Sequence, residues 1–146
     1  MNKKKIFDEA FKNYKKNNFE IAEKLCKQIL SIDSNHFPSM FLLGSLSEQT
    51  MDFDKAKKLF DKAIQINPNY ADAHNNLGGV LKKLGEHQKS ITSYEKAIQI
   101  DPKHANAHYN LGVVFQDLGE HQKSITSYEK AIQIDPNYAV AYYNLG

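Results

Sequence analysis

Arginine is missing from this chain of 146 residues, and its nineteen basic side chains are all lysine. A guanidinium fork is the usual device for bidentate recognition of carboxylate or phosphate, so sites built on such forks are excluded. Cysteine occurs once, as Cys26, so no intrachain disulfide can form and a reducing compartment is permitted. Long apolar runs are also missing: none approaches the roughly 18–20 residues needed to span a bilayer. The start, Met1-Asn2-Lys3-Lys4-Lys5, continues Ile6-Phe7-Asp8-Glu9, with acids where a signal peptide needs its apolar core. These absences lead to the expectation of a soluble, cytoplasmic chain with no membrane partner. Large charge of one sign is absent too. The formal net charge of +2 is too small to imply a nucleic-acid partner. Lysine is biased toward the start, with eight against five acids up to His36 and eleven against twelve beyond it.

What is present is a globular balance, 41% hydrophobic and 25% charged, and a repeat. Leu84 to Pro102 reads LGEHQKSITSYEKAIQIDP, and Leu118 to Pro136 reads the same, letter for letter. The interval from Leu84 to Leu118 also separates Gly44, Gly78, Gly112 and Gly146, each from the next. It links Pro68, Pro102 and Pro136, and Ala63, Ala97 and Ala131, in the same way. Ordinary core packing requires no such match, whereas duplication of one structural unit produces it.

Each unit reads as two helices. From about Ala71 to Leu84, the residues Ala73, Leu77, Val80, Leu81 and Leu84 recur at three and four, one helical face. Gly85 stands where a helix C-terminus wants a residue of positive φ. From about Gln88 to Gln99, Ile91, Tyr94, Ala97 and Ile98 repeat the spacing. Asp101-Pro102 then ends the segment, since proline pushes the residue before it out of the helical region. Helices of about three turns are marginal alone in water. Their stability must come from stacking on neighbours.

The unit from Ala71 to His104 has Leu77-Gly78 early, Gly85 between the helices, Tyr94 and Ala97 in the second helix and Pro102 near the end. In pattern and in length it resembles the tetratricopeptide repeat, a helix–turn–helix of about 34 residues. Leu111-Gly112, Gly119, Tyr128, Ala131 and Pro136 repeat the match. The unit before them has Leu43-Gly44, Ala56, Phe60, Ala63 and Pro68, with Met51 in place of the glycine. The first unit keeps Ala10, Phe19, Ala22 and Ile29 and has Ser34 where proline is expected. Ser90 and Ser124 replace the usual small alanine of the second helix, a mild packing change. The expected organisation is one array, residues 1–146, with units 3–36, 37–70, 71–104 and 105–138 and a partial fifth unit, 139–146. That last unit stops inside its first helix, leaving Tyr142, Tyr143 and Leu145 partly uncovered. This raises the expectation of a fragment of a longer protein, or of an end covered by another molecule.

The resemblance implies an all-α fold, an α-solenoid coiled into a right-handed superhelix whose first helices line a concave groove. It places groove positions at Asp72, Asn75, Asn76, Gly79, Lys82 and Lys83 of the third unit. In the fourth they are Asn106, Tyr109, Asn110, Val113, Gln116 and Asp117, and in the partial fifth Val140, Tyr143 and Asn144. Asn76, Asn110 and Asn144 recur at the repeat interval, each before Leu-Gly. An asparagine amide both donates and accepts, so a row of them can hold a peptide backbone whatever its side chains. This is similar to the asparagine-lined superhelix of the O-linked N-acetylglucosamine transferases. The alternative is a solvated row kept by recent duplication. The carboxylate clamp of chaperone-binding repeats is rejected, because its lysine and asparagine positions fall on Phe7 and Phe11, or on Phe41 and Ser45.

Other chemistry is weighed down by geometry. His74 and His108, like His87 and His121, occupy equivalent places one repeat apart. Helix spacings of about 8–10 Å do not let one ion bridge them. Packing or surface roles are expected, with no metal and no cofactor. Tyr94 and Tyr128 are expected in the core, and Cys26, at the same register, as a buried inert thiol. Gly78-Gly79 lacks the Lys-Ser/Thr of a phosphate loop. No catalytic arrangement emerges, so the chain is read as a non-enzymatic scaffold that binds an extended protein segment. Its candidate groove residues are Asn75, Asn76, Lys82, Lys83, Tyr109, Asn110, Gln116, Tyr143 and Asn144. A substrate-recruiting region of a larger transferase and a self-associating module, a homo-oligomer joined through the uncapped C-terminal helix, are the alternatives.

Overall fold

The computed structural model describes residues 2–138 and Asn144. These form an all-α fold of eight helices paired as hairpins. The chain divides into two compact units, Met1–Pro68 and Asn69–Gly146. In the first, α1 (Lys3–Lys15) pairs with α2 (Phe19–Ile32) and α3 (Phe37–Gln49) with α4 (Phe53–Ile66). In the second, α5 (Ala71–Lys83) pairs with α6 (His87–Ile100) and α7 (Ala105–Asp117) with α8 (His121–Ile134). Within each unit the consecutive first helices also touch, α1 with α3 and α5 with α7. The hairpins are therefore stacked inside each unit, as helices this short require.

The turns inside the hairpins follow one plan. After α5, the Gly85 N–H bonds the Lys82 carbonyl at 3.0 Å and the Glu86 N–H bonds the Leu81 carbonyl at 2.9 Å. This crossed pair satisfies carbonyls left open by the helix end. It requires a left-handed residue, and Gly85 has φ +80°. Gly119 does the same at φ +75°. In the first unit the turn residues are Asn17 (φ 61°) and Met51 (φ 63°). Asparagine tolerates that region, and methionine is strained there. The second helices end differently. Asp33, Asp101 and Asp135 leave the helix in extended geometry, and each carboxylate accepts the N–H of the residue two further on.

A helix glycine lets the two helices of a hairpin close up. A Cβ on Gly78 would lie 2.6 Å from a Tyr94 ring carbon, on Gly112 2.7 Å from Tyr128, and on Gly44 2.8 Å from Phe60. Tyr94 and Tyr128 are fully in the core, as the register implied. Cys26 is buried as well, and burial pushes its thiol up to about 12, well away from reactive thiolate. The replacement of alanine by Ser90 and Ser124 does more than alter packing slightly. Each buried hydroxyl donates across the hairpin, Ser90 to the Gly78 carbonyl at 2.7 Å and Ser124 to the Gly112 carbonyl at 2.8 Å. A carbonyl has two lone pairs and can take this bond beside its helical one. Among the described residues no helix is long and apolar enough to cross a membrane.

Candidate peptide-binding face

The candidate residues that the structure describes all lie on the second unit. Asn75, Asn76, Lys82 and Lys83 stand on α5, and Tyr109, Asn110 and Gln116 on α7. Asn144 follows them, while Val140, Tyr143 and the supposed open end around Tyr142 and Leu145 lie outside the described residues. Ala73, Leu77, Val80 and Leu81 take the buried line of α5. That leaves Asn75 and Asn76 half-buried at its edge, and α7 presents Tyr109 and Asn110 the same way.

One kind of bond recurs along this edge. Asn110 donates its amide N–H to Asn75 Oδ1 at 3.1 Å, and Asn144 donates to the Tyr109 hydroxyl at 3.1 Å. Each bond runs from the sixth position of one repeat to the fifth of the preceding one. An asparagine amide has two N–H donors and two acceptor lone pairs, so Asn110 retains one donor and its oxygen. Asn76 makes no side-chain hydrogen bond to a described residue. Further along, Lys82 Nζ faces Asp117 at 3.6 Å with both ends partly in water, a pair of small energetic weight. Gln116 accepts the Tyr128 hydroxyl at 2.7 Å. Burial pushes that phenol, and the phenol of Tyr138, above the usual tyrosine value, so both stay protonated donors. Lys83 projects into solvent.

Two residues that sequence reasoning passed over close this face. His104 accepts the Ala107 N–H on Nδ1 at 3.1 Å and thereby caps α7. Its proton is then on Nε2, which meets Asp72 Oδ1 at 2.7 Å. Tyr138 uses its hydroxyl in the same way on Asn106. Each ring reaches back one hairpin to the second position of its own repeat, so Asp72 and Asn106 are partly committed. The available signal was a ring at the same repeat position in His36, Tyr70, His104 and Tyr138. His74 and His108 are buried packing residues, as expected. His108 donates to the Pro102 carbonyl at 3.1 Å, and burial holds its pKa below the ordinary value, which keeps the ring neutral. No group of three or more metal-ligating side chains occurs among the described residues. The chemistry this face offers is hydrogen bonding, from amides and phenols set between apolar helix edges.

Paired helices, a glycine beneath an aromatic in successive hairpins and a crossed turn in each repeat define a helical-hairpin repeat protein. Family models described as TPR repeat match residues 52–85 and 78–119, and one described as tetratricopeptide repeat matches 105–138. The chain belongs to the tetratricopeptide repeat family, whose arrays are protein-interaction scaffolds. Among solved structures it is similar to MamA, at 29% identity and TM-score 0.86, over 93% of this chain and 80% of that one. PilF of Pseudomonas aeruginosa shares the fold at 19% identity and TM-score 0.90, over 98% of this chain and 65% of that one. An O-GlcNAc transferase mutant of Thermobaculum terrenum shares it at 24% identity and TM-score 0.84, over 90% of this chain and 26% of that one. A search of the curated proteins gives no match.

Proposed function

We propose that this protein is a non-catalytic interaction scaffold, and that the second unit holds an extended polypeptide segment against the first-helix edge of α5 and α7. The observation that carries this reading is the state of the asparagine row. Asn110 spends one N–H on Asn75 and keeps a donor and an acceptor, and Asn76 spends none on a described residue. The bond to Asn75 also fixes the Asn110 amide in one orientation, so little rotamer freedom is lost when a ligand binds. A donor and acceptor side by side match the N–H and C=O of an extended backbone. Lys82 and Lys83 on α5, with Tyr109 and Gln116 on α7, extend the face.

The test uses the protein as bait in a lysate of its source cells, beside the Asn76→Ala/Asn110→Ala variant. The captured segment is then measured against both proteins by calorimetry. The expected loss in the variant is roughly ten-fold or more in affinity, the range for removing well-placed contacts at the centre of an interface. Equal affinity for the two proteins would move binding off this edge and leave the asparagines as a trace of duplication.

A further inference from the structure

The first hairpin departs from the later ones along one side of its first helix. On α3, Ser39, Leu43 and Leu46 are buried. They turn toward the first hairpin, where Leu43 and Leu46 cluster with Ala10, Ala22 and Cys26. α7 repeats this, with Leu111 and Val114 clustered against Ile91 and Tyr94 of α6. The same repeat positions on α1 hold Lys5, Glu9 and Lys12, and Lys16 continues their line one turn further. All four are exposed. By the repeat register they face away from the second hairpin. An apolar second helix of the kind that covers α3 and α7 would bury these charges unpaired, at high cost.

The neighbouring side of α2 carries exposed apolar residues. Lys55, one repeat after Ile21, reaches back to Glu23 of α2 at 2.9 Å. That repeat position therefore faces the preceding side of a hairpin, and on α2 it is held by Ile21. Ile32 follows roughly three turns later and points the same way. Ile21 is 50% exposed and Ile32 68%. The outward face of the first hairpin is thus a charged line on α1 beside apolar points on α2. Lys5, Lys12 and Lys16 have no carboxylate partner among the described residues. Glu9 stands between them, its carboxylate accepting the Asn13 amide N–H at 3.1 Å.

We propose that this outward face docks an acidic amphipathic helix of a partner protein. The helix sets carboxylates against Lys5, Lys12 and Lys16 and apolar side chains against Ile21 and Ile32. A helix is the occupant because the equivalent face of α3 is covered by helices, α1 and α2. Its acidity follows from charge complementarity, which also rejects the apolar helices of the array itself. Glu9, in the middle of the lysines, disfavours a uniformly anionic lipid surface. This face lies in the first unit, away from the asparagine edge, and does not depend on the reading of that edge.

The probe is a fluorescein-labelled, alanine-based helical peptide with glutamates along one line and leucines beside it. Its controls are a shuffled sequence of the same composition and a copy with lysine for every glutamate. Anisotropy should show saturable binding of the acidic helix alone, weakening with added salt. Lys12→Glu and the double variant Ile21→Ser/Ile32→Ser should each weaken it roughly ten-fold. These sites are exposed, and circular dichroism verifies that the protein's helices persist. Phe11→Ala and Asn76→Ala/Asn110→Ala should leave this binding unchanged, so its failure and that of the asparagine reading are separable. The proposal is overturned if the peptide does not bind, if either control binds equally, or if neither face variant weakens it. It is also overturned if Phe11→Ala weakens binding as much as Lys12→Glu. Displacement of the peptide by phosphatidylglycerol vesicles that bind this face more tightly would overturn it in favour of a membrane.

Discussion

The two units use the same hairpin and close it with different chemistry. In the first, Cys26 and Phe60 fill the position that Tyr94 and Tyr128 fill in the second, and Ala22 and Ala56 stand where the second has Ser90 and Ser124. The first unit turns on Asn17 and Met51, the second on Gly85 and Gly119. The outward edge of the first helices is aromatic and basic on α1, and rich in amides on α5 and α7. The hairpin thus tolerates different volumes, and apolar or polar solutions, at the same repeat positions. What the first helices present outward is free to vary.

The largest test of that comparison concerns the ring under the helix glycine. Phe60 is fully buried against Gly44, and Cys26 is equally buried at the same register one repeat earlier. Phe60→Ala should cost about 3–5 kcal/mol, the transfer term plus the cavity it leaves. Cys26→Ala removes one heavy atom and should cost about 1 kcal/mol. Urea denaturation followed by circular dichroism checks both. Similar losses at the two sites would mean that the first hairpin relies on the thiol for more than volume.

The next test concerns the buried hydroxyl. Ser90→Ala removes the bond to the Gly78 carbonyl, which still has its helical partner, so no buried acceptor is orphaned. The expected cost is about 1 kcal/mol. The reciprocal Ala56→Ser brings a hydroxyl to the same register under Gly44 in the first unit and should be nearly neutral there. A large loss from Ala56→Ser would show that the two hairpins are not interchangeable at this contact.

How much of this was legible beforehand follows from the range of each interaction. Helix limits, the turn at Gly85 and the burial of Tyr94 depend on local spacing and on the repeat interval, and both can be read along the chain. α5 was expected over 71–84 and runs over 71–83, with Leu84 as its cap. The bonds Asn110–Asn75, His104–Asp72 and Tyr138–Asn106 were not read. They join residues on different helices, and whether two polar side chains meet depends on the rotation of each helix about its axis. Ser90 was read as a packing change because nothing in the sequence reveals the carbonyl of Gly78 beneath it. Phe11 carries no local sign of its exposure, since a phenylalanine at helical spacing looks the same in a core and beside one. The amide row was visible as a pattern, but its partial self-satisfaction was not.

The smallest expected effect lies in the turns. Met51 stands at φ 63° with its side chain 76% exposed, where Gly85 and Gly119 stand in the second unit. An L-residue in that region costs roughly 1–2 kcal/mol through its Cβ and the neighbouring carbonyl. The exposed thioether makes up little of this by burial. Glycine removes the strain but gives the unfolded chain more freedom, which takes back roughly 0.5–1 kcal/mol. Met51→Gly should therefore stabilise the protein by about 0.5 kcal/mol, read as a higher denaturation midpoint at an unchanged slope. Gly85→Ala should do the reverse, because no neighbouring atom crowds a Cβ there and only the backbone conformation resists it. If Met51→Gly destabilises instead, the methionine is held in its turn by contacts that outweigh its strain. The difference between the two kinds of turn would then lie in side-chain packing and not in the backbone.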